Sequence, residues 1–150
     1  MAFNRILIFF IMVLLWESKA TAQAILGKTE AGKASYYSSR FDGRKTSFGE
    51  VHKSSELTAA HRKYPFNTML EITNPENQEK VIVRVNDRGP YSKSRLVDIS
   101  KEAARLLGIV AKGVAHVTVR VVGMEGMVLL GKDEDVDLTT GKIISMKREN

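Results

Sequence analysis

The sequence contains no cysteine. That excludes disulfides, thiolate metal sites, a cysteine nucleophile and a lipid-modified N-terminal cysteine, so no lipid anchor is expected. Its histidines, His52, His61 and His116, show no metal-ligand spacing such as H-E-x-x-H, and neither a metal nor a cofactor is expected. No apolar run is long enough to span a bilayer. The longest, Ile6–Trp16, has 11 residues, whereas a spanning helix needs roughly 20. No internal repeat at fixed period is present.

What the chain does have is ordinary globular composition. Its 150 residues suffice for one domain with a core, and 43% are hydrophobic against 27% charged. The net charge of +6 favours an anionic partner. Residues 1–24 read as a secretory signal peptide: Arg5 begins it, Ile6–Trp16 is its apolar stretch, and Ala22-Gln23-Ala24 is an A-x-A cleavage site. Cleavage after Ala24 leaves Ile25 first. The mature chain is then expected in the periplasm, cell envelope or medium, without stable membrane insertion. Export argues against nucleic acid as the partner and for an anionic cell envelope.

The mature chain divides into a linker at 25–31, a domain at 32–122 and a C-terminal tail at 123–150. Gly27–Gly32 reads as a polar lead-in. Short strands are predicted at Ala34–Tyr37, Leu57–His61, Thr68–Thr73, Val81–Val85 and Val117–Val121, with a loop at Phe41–Gly49. Asn74-Pro75-Glu76-Asn77 is a hairpin turn. Ser100 is an N-cap, Ala103, Ala104, Leu106 and Leu107 give a helix its buried face, and Gly108 ends it. In the tail, Met127–Leu130 reads as a further strand. Asp133–Asp137 is an acidic cluster, Ile143-Ile144 follows the turn Thr140-Gly141-Lys142, and Lys147–Asn150 should fray. Many short strands with one or two short helices describe a mainly β protein, a small closed barrel.

The stretch Val81–Ser100 organises the rest. Its strand ends in the dense turn Asn86-Asp87-Arg88-Gly89-Pro90, and the apolar pair Leu96-Val97 delivers Asp98 to the helix start. Asp87 and Asp98 therefore end two extended segments at a rim, where rigid scaffolds place binding and catalytic groups.

Five blocks in order carry a resemblance: Gly32-Lys33-Ala34-Ser35-Tyr36-Tyr37, Thr46-Ser47-Phe48-Gly49-Glu50, Leu57-Thr58-Ala59-Ala60-His61, Val85-Asn86-Asp87-Arg88-Gly89-Pro90, and Val97-Asp98-Ile99-Ser100 with Ala103-Ala104. Together they resemble the rare lipoprotein A family over roughly Gly32–Val122. The resemblance implies a six-stranded double-psi β-barrel, a scaffold shared with expansins. It also implies an endolytic lytic transglycosylase that cleaves MurNAc–GlcNAc bonds of peptidoglycan, forms 1,6-anhydro-MurNAc and prefers glycan strands stripped of stem peptides. An expansin-like module that binds wall glycan without cutting it fits the same motifs. A monomer is expected.

Lytic transglycosylation needs at least one carboxyl that first gives and then takes a proton. Asp98 lies between Val97 and Ile99, whose apolar side chains would favour its protonated form; the alternative is a helix-start carboxylate. Asp87 is either an Asx-turn residue or Arg88 partner, or the charged neighbour of Asp98. Glu50 and His61 enter through the resemblance, as groups flanking the groove; otherwise Glu50 is a solvated loop residue and His61 closes a hydrogen bond at a strand end. Tyr36, Tyr37 and Phe48 stack on sugars or belong to the core. Arg88 binds the muramic lactyl carboxylate or pairs with Asp87. These expectations require Glu50, His61, Asp87 and Asp98 to share one sugar-sized trough.

Overall fold

The computed structural model describes residues 25–125, 127–130, 134–136 and 143–145. The expected signal peptide at 1–24, the expected turn at 140–142 and the end at 147–150, expected to fray, lie outside the described residues.

Six strands close into a barrel: β1 (Thr29–Tyr36), β2 (Thr58–His61), β3 (Thr68–Thr73), β4 (Lys80–Asp87), β5 (Val97–Ile99) and β6 (Val114–Met124). Their order is β1-β5-β2-β4-β3-β6, and β6 pairs back onto β1. Two pairs are parallel, β1 with β5 and β2 with β4; the other barrel pairs are antiparallel. This is the double-psi arrangement, and closure leaves no barrel edge unpaired.

The core follows the period-two pattern. Leu70, Ile72, Val81, Val83, Val85, Val97, Ile99 and Val119 are wholly buried. One helix, α1 (Lys101–Leu106), packs Ala103 and Ala104 into it. Ser100 caps α1, its hydroxyl accepting from the Ala103 amide at 3.2 Å. At the other end, the β3–β4 turn supplies two donors: the side-chain amides of Asn74 and Asn77 reach the Leu107 carbonyl at 2.9 and 3.1 Å. Gly108 then adopts φ +70°, the left-handed geometry that stops the helix. Ser100→Ala should lower stability by about 1 kcal/mol in thermal or urea unfolding; an unchanged midpoint would show that the cap contributes nothing.

The structure departs from the sequence pattern at both ends of the barrel. β1 begins inside the span expected as a linker: Thr29, Glu30 and Ala31 are in register with Arg120, Val119 and Thr118 of β6. Backbone pairing holds this segment while its side chains stay largely in water, so apolar periodicity does not reveal it. Likewise β6 runs on to Met124, beyond the expected boundary at 122. A short β7 (Met127–Val128) folds back on it, passing so close that a Cβ at Gly123 would lie 1.9 Å from the Met127 carbonyl oxygen. The expected loop at Phe41–Gly49 contains the end of a 3-10 turn (Ser39–Phe41) and one strand of a tight bridge between Lys45 and Val51.

In the tail, β8 (Glu134–Val136) and β9 (Ile143–Ser145) form an antiparallel pair. Glu134 meets Lys80 at 2.5 Å and Arg120 at 3.5 Å. Arg120 also forks onto the buried Glu71 opposite it at 3.1 and 2.7 Å. Of the acidic cluster, Glu134 is thus seated on the barrel's outer wall.

Candidate active site

One row of residues crosses four strands. Ser35 of β1 is in register with Asp98 of β5, Asp98 with Ala60 of β2, and Ala60 with Asp87 of β4. Neighbouring strands lie about 4.8 Å apart, so the two aspartate backbones stand two spacings, roughly 10 Å, from each other. Ala60 between them contributes a single methyl group. It forms part of the floor of a groove of about 580 Å³ that both aspartates line.

A bulge brings Asp87 there. In uninterrupted β4, Asp87 would continue the face of Val83 and Val85, which is the core face. The register slips between Ala59–Val85 and Ala60–Asp87, leaving Asn86 as the extra residue. That slip turns Asp87 out to the groove beside Ala60.

The two carboxyl groups have different settings. Asp87 accepts from the Tyr37 hydroxyl at 2.9 Å and from the backbone amides of Ser47 and Arg88, each at 2.8 Å. Partial burial works against its charge, but the hydrogen bonds from Ser47, Tyr37 and the Arg88 amide outweigh it, and its pKa lies below the usual carboxylate value. Asp98 accepts from the Ser35 hydroxyl at 2.6 Å, and the Arg95 guanidinium lies 3.0 Å away. The apolar setting inferred from Val97 and Ile99 is not what Asp98 meets. Those two are fully buried on the opposite face of β5, because alternation separates sequence neighbours by the thickness of the strand.

Glu50 and His61 do not line this groove. Glu50 receives both terminal nitrogens of Arg84 at 2.8 and 2.9 Å and the Asn86 amide at 3.1 Å. The hydrogen bonds from Arg84 first, then Asn86, hold its pKa below the ordinary carboxylate value against a smaller effect of burial. Glu50 thus fastens its loop to β4, one residue from Asp87. His61 shares the face of Ala59, on the core side of β2. It is 2% exposed and stacks on Tyr64 at 4.1 Å. Its Nδ1 accepts from the Lys63 and Tyr64 amides at 3.3 and 3.1 Å, which leaves the proton of the neutral ring on Nε2, 3.7 Å from Glu30. Burial pushes its pKa down to about 4, with Glu30 opposing and Arg62, Arg88 and Lys28 assisting.

The aromatic candidates separate too. Tyr36 and Tyr37 line the groove. Tyr37 is packed on His52 at 4.4 Å and spends its hydroxyl on Asp87; burial and then the Asp87 charge raise its pKa strongly. Phe48 lies outside the lining, paired with Phe66 at 4.8 Å and covered by the Arg88 guanidinium at 4.6 Å. Arg88 lines the groove, yet its side chain is no ion partner of Asp87. It donates to the carbonyls of His61 and Tyr64 at 3.1 and 2.5 Å.

Sequence reasoning passed over Ser35, Arg95 and Tyr91, and over the cations Arg40, Arg44 and Lys45, all of them in the groove lining. Ser35 stood inside a quoted block, and Arg95 stands three residues before Asp98. Neither signal distinguishes a partner from a bystander without strand register. Among the described residues no three His, Asp or Glu side chains converge to hold a metal.

A closed barrel with two parallel strand pairs, carrying a cation-lined groove with two aspartates, defines a double-psi β-barrel protein. Residues 29–119 match the family described as lytic transglycolase, and the chain belongs to that family. It is 43% identical over 105 residues to the endolytic peptidoglycan transglycosylase RlpA of Pasteurella multocida, covering 70% of this chain and 36% of the relative. It is 46% identical over 112 residues to the protein of the same name from Neisseria meningitidis serogroup A, covering 73% of this chain and 47% of the relative. The chain thus spans less than half the length of these two relatives. Among solved structures, an expansin of Clavibacter michiganensis aligns with TM-score 0.53 and 21% identity over 71% of this chain and 55% of that one, a likeness of fold.

Proposed function

We propose that this chain is an exported lytic transglycosylase that cuts the MurNAc–GlcNAc bonds of peptidoglycan glycan strands and leaves 1,6-anhydro-MurNAc ends. The observation that carries this reading is the pair of aspartates flanking Ala60 on one groove floor. Family membership and the names of the relatives support it.

Asp98 is the acid–base group. Its carboxyl gives a proton to the glycosidic oxygen as that bond breaks. As carboxylate it then takes the proton of the muramic C6 hydroxyl, which closes on its own anomeric carbon. No water enters, and one carboxyl serves both steps. Asp87, held charged by its donors, stabilises the positive charge that grows at the anomeric carbon. Ser35 and Arg95 orient Asp98. Glu50 and His61 act on the scaffold, through the loop at 45–51 and the turn at 61–64. The chain works in the periplasm or cell envelope as a monomer, after cleavage behind Ala24.

Incubation with denuded glycan strands followed by mass spectrometry tests the reading. Anhydro-muramic products are expected; intact strands, or reducing ends formed with water, would refute it. A second reading, an expansin-like groove that holds glycan without cutting it, is favoured by one observation. Both aspartates already have close donors. Retention of strands without products would select it.

Arg40, Arg44 and Lys45 are exposed at the groove and suit the lactyl carboxylates of a stripped strand. Retention should therefore weaken as salt rises, since surface charges are screened within about 8 Å at physiological ionic strength. Replacing all three by Gln should lower retention severalfold and flatten the salt dependence. An unchanged salt slope would place the anion elsewhere.

A further inference from the structure

We infer that Tyr91 is the stacking platform on which the groove seats a sugar ring. The inference rests on the glycan reading above and adds a binding residue to it. Tyr91 lines the groove and is 92% exposed, the most exposed large hydrophobic side chain among the described residues. A lone exposed tyrosine on a loose loop would be unremarkable in a protein surface. This one has its backbone tied down on both sides. The Arg62 guanidinium reaches the carbonyls of Pro90 and Ser92, each at 3.2 Å, and that of Arg95 at 2.7 Å. One cation thus staples the residues before and after Tyr91, and the segment that leads to Asp98, onto the end of β2.

The ring is therefore held out without protein to cover it. Its position is also close to the reacting groups. Tyr91 lines the same groove as Asp87 and Asp98, and the stapled Arg95 contacts Asp98. A pyranose offers an apolar face of C–H groups, and an aromatic ring offers a flat apolar face with negative charge at its centre. Such a ring grips sugars with little loss of its own freedom, since a tyrosine has two side-chain torsions to order. Tyr36 and Tyr37 are less available. Tyr36 directs its hydroxyl to the Val110 carbonyl at 3.2 Å, and the Tyr37 ring is packed between Phe41 and His52.

The test is retention of the full chain on purified denuded glycan strands, measured by co-sedimentation as an apparent Kd and compared among Tyr91→Ala, Tyr91→Phe and Tyr91→Trp. Tyr91→Ala should bind roughly tenfold more weakly, the order of one lost stacking contact. Tyr91→Phe and Tyr91→Trp should bind as the parent chain does. Unfolding midpoints should stay unchanged in all three, because the ring touches little of the protein. Equal retention by Tyr91→Ala overturns the inference, whether or not products form. So does a Tyr91→Phe defect as large as that of Tyr91→Ala, which would assign the effect to the hydroxyl. Weakened Tyr91→Ala binding in a chain that releases no anhydro product would uphold the platform while refuting catalysis. No retention by the parent chain would overturn both.

Discussion

Asp98→Asn is expected to reduce release of anhydro-muramic products by about 10²–10⁴-fold, the range for removal of a positioned general acid–base group. The amide is nearly the same shape. Its oxygen can still accept from the Ser35 hydroxyl, which lies 2.6 Å from the native carboxyl, so the groove should remain folded and the strands should still be retained. What is lost is the ability to give and then take a proton. Asp87→Asn is the informative control. Three donors converge on the Asp87 carboxyl, and an amide must turn its own N–H groups toward at least one of them. That variant should loosen the loop at 45–51 and lower its stability as well as its activity. Undiminished product from Asp98→Asn would remove Asp98 from the mechanism.

His61 should govern the acid side of the stability profile. Its pKa is about 4 in the folded chain against 6.5 for an unperturbed histidine, with burial as the main cause. Between those values the unfolded chain binds a proton that the folded chain refuses. Stability therefore falls as pH drops from 6.5 to 4, by at most about 3 kcal/mol from this residue. The neighbouring Glu30 adds its own loss lower down. Its pKa is depressed, first by the Tyr64 hydrogen bond, so its contribution is complete above 4.5 and disappears as pH falls through the lower folded value. His61→Asn separates the two. Its side-chain oxygen can accept from the Lys63 and Tyr64 amides where Nδ1 does, and it does not titrate. Denaturant unfolding from pH 7 to 4 should show a flatter profile for this variant, from a lower starting stability because the Tyr64 stack is lost. Parallel slopes for the two proteins would remove His61 as the source.

These two residues show where residue types were informative and where they misled. Asp98 was singled out between two apolar neighbours of a short strand, and His61, at the end of another, through the family resemblance. One step of strand alternation sends Asp98 to the groove and His61 to the core side, next to Ala59. The bulge at Asn86 is harder still to read. It depends on how β4 pairs with β2, more than twenty positions away, and without it Asp87 would face the barrel interior. Glu50 meets Arg84 through a side-chain contact that is just as distant in the chain.

Alternation in Val81–Val85 and Val117–Val121, the Ser100 cap and the Gly108 stop are local, and for that reason the chain alone determined the central parts of five barrel strands, its helix and, through five ordered blocks, its family. Which polar side chains meet in the groove was decided by closure of the barrel. Strand pairing places Ser35, Asp98, Ala60 and Asp87 in one row, and a single slip in register decides which side of a strand each residue faces. That information resides in hydrogen bonds between distant backbone segments, which carry no side-chain signature.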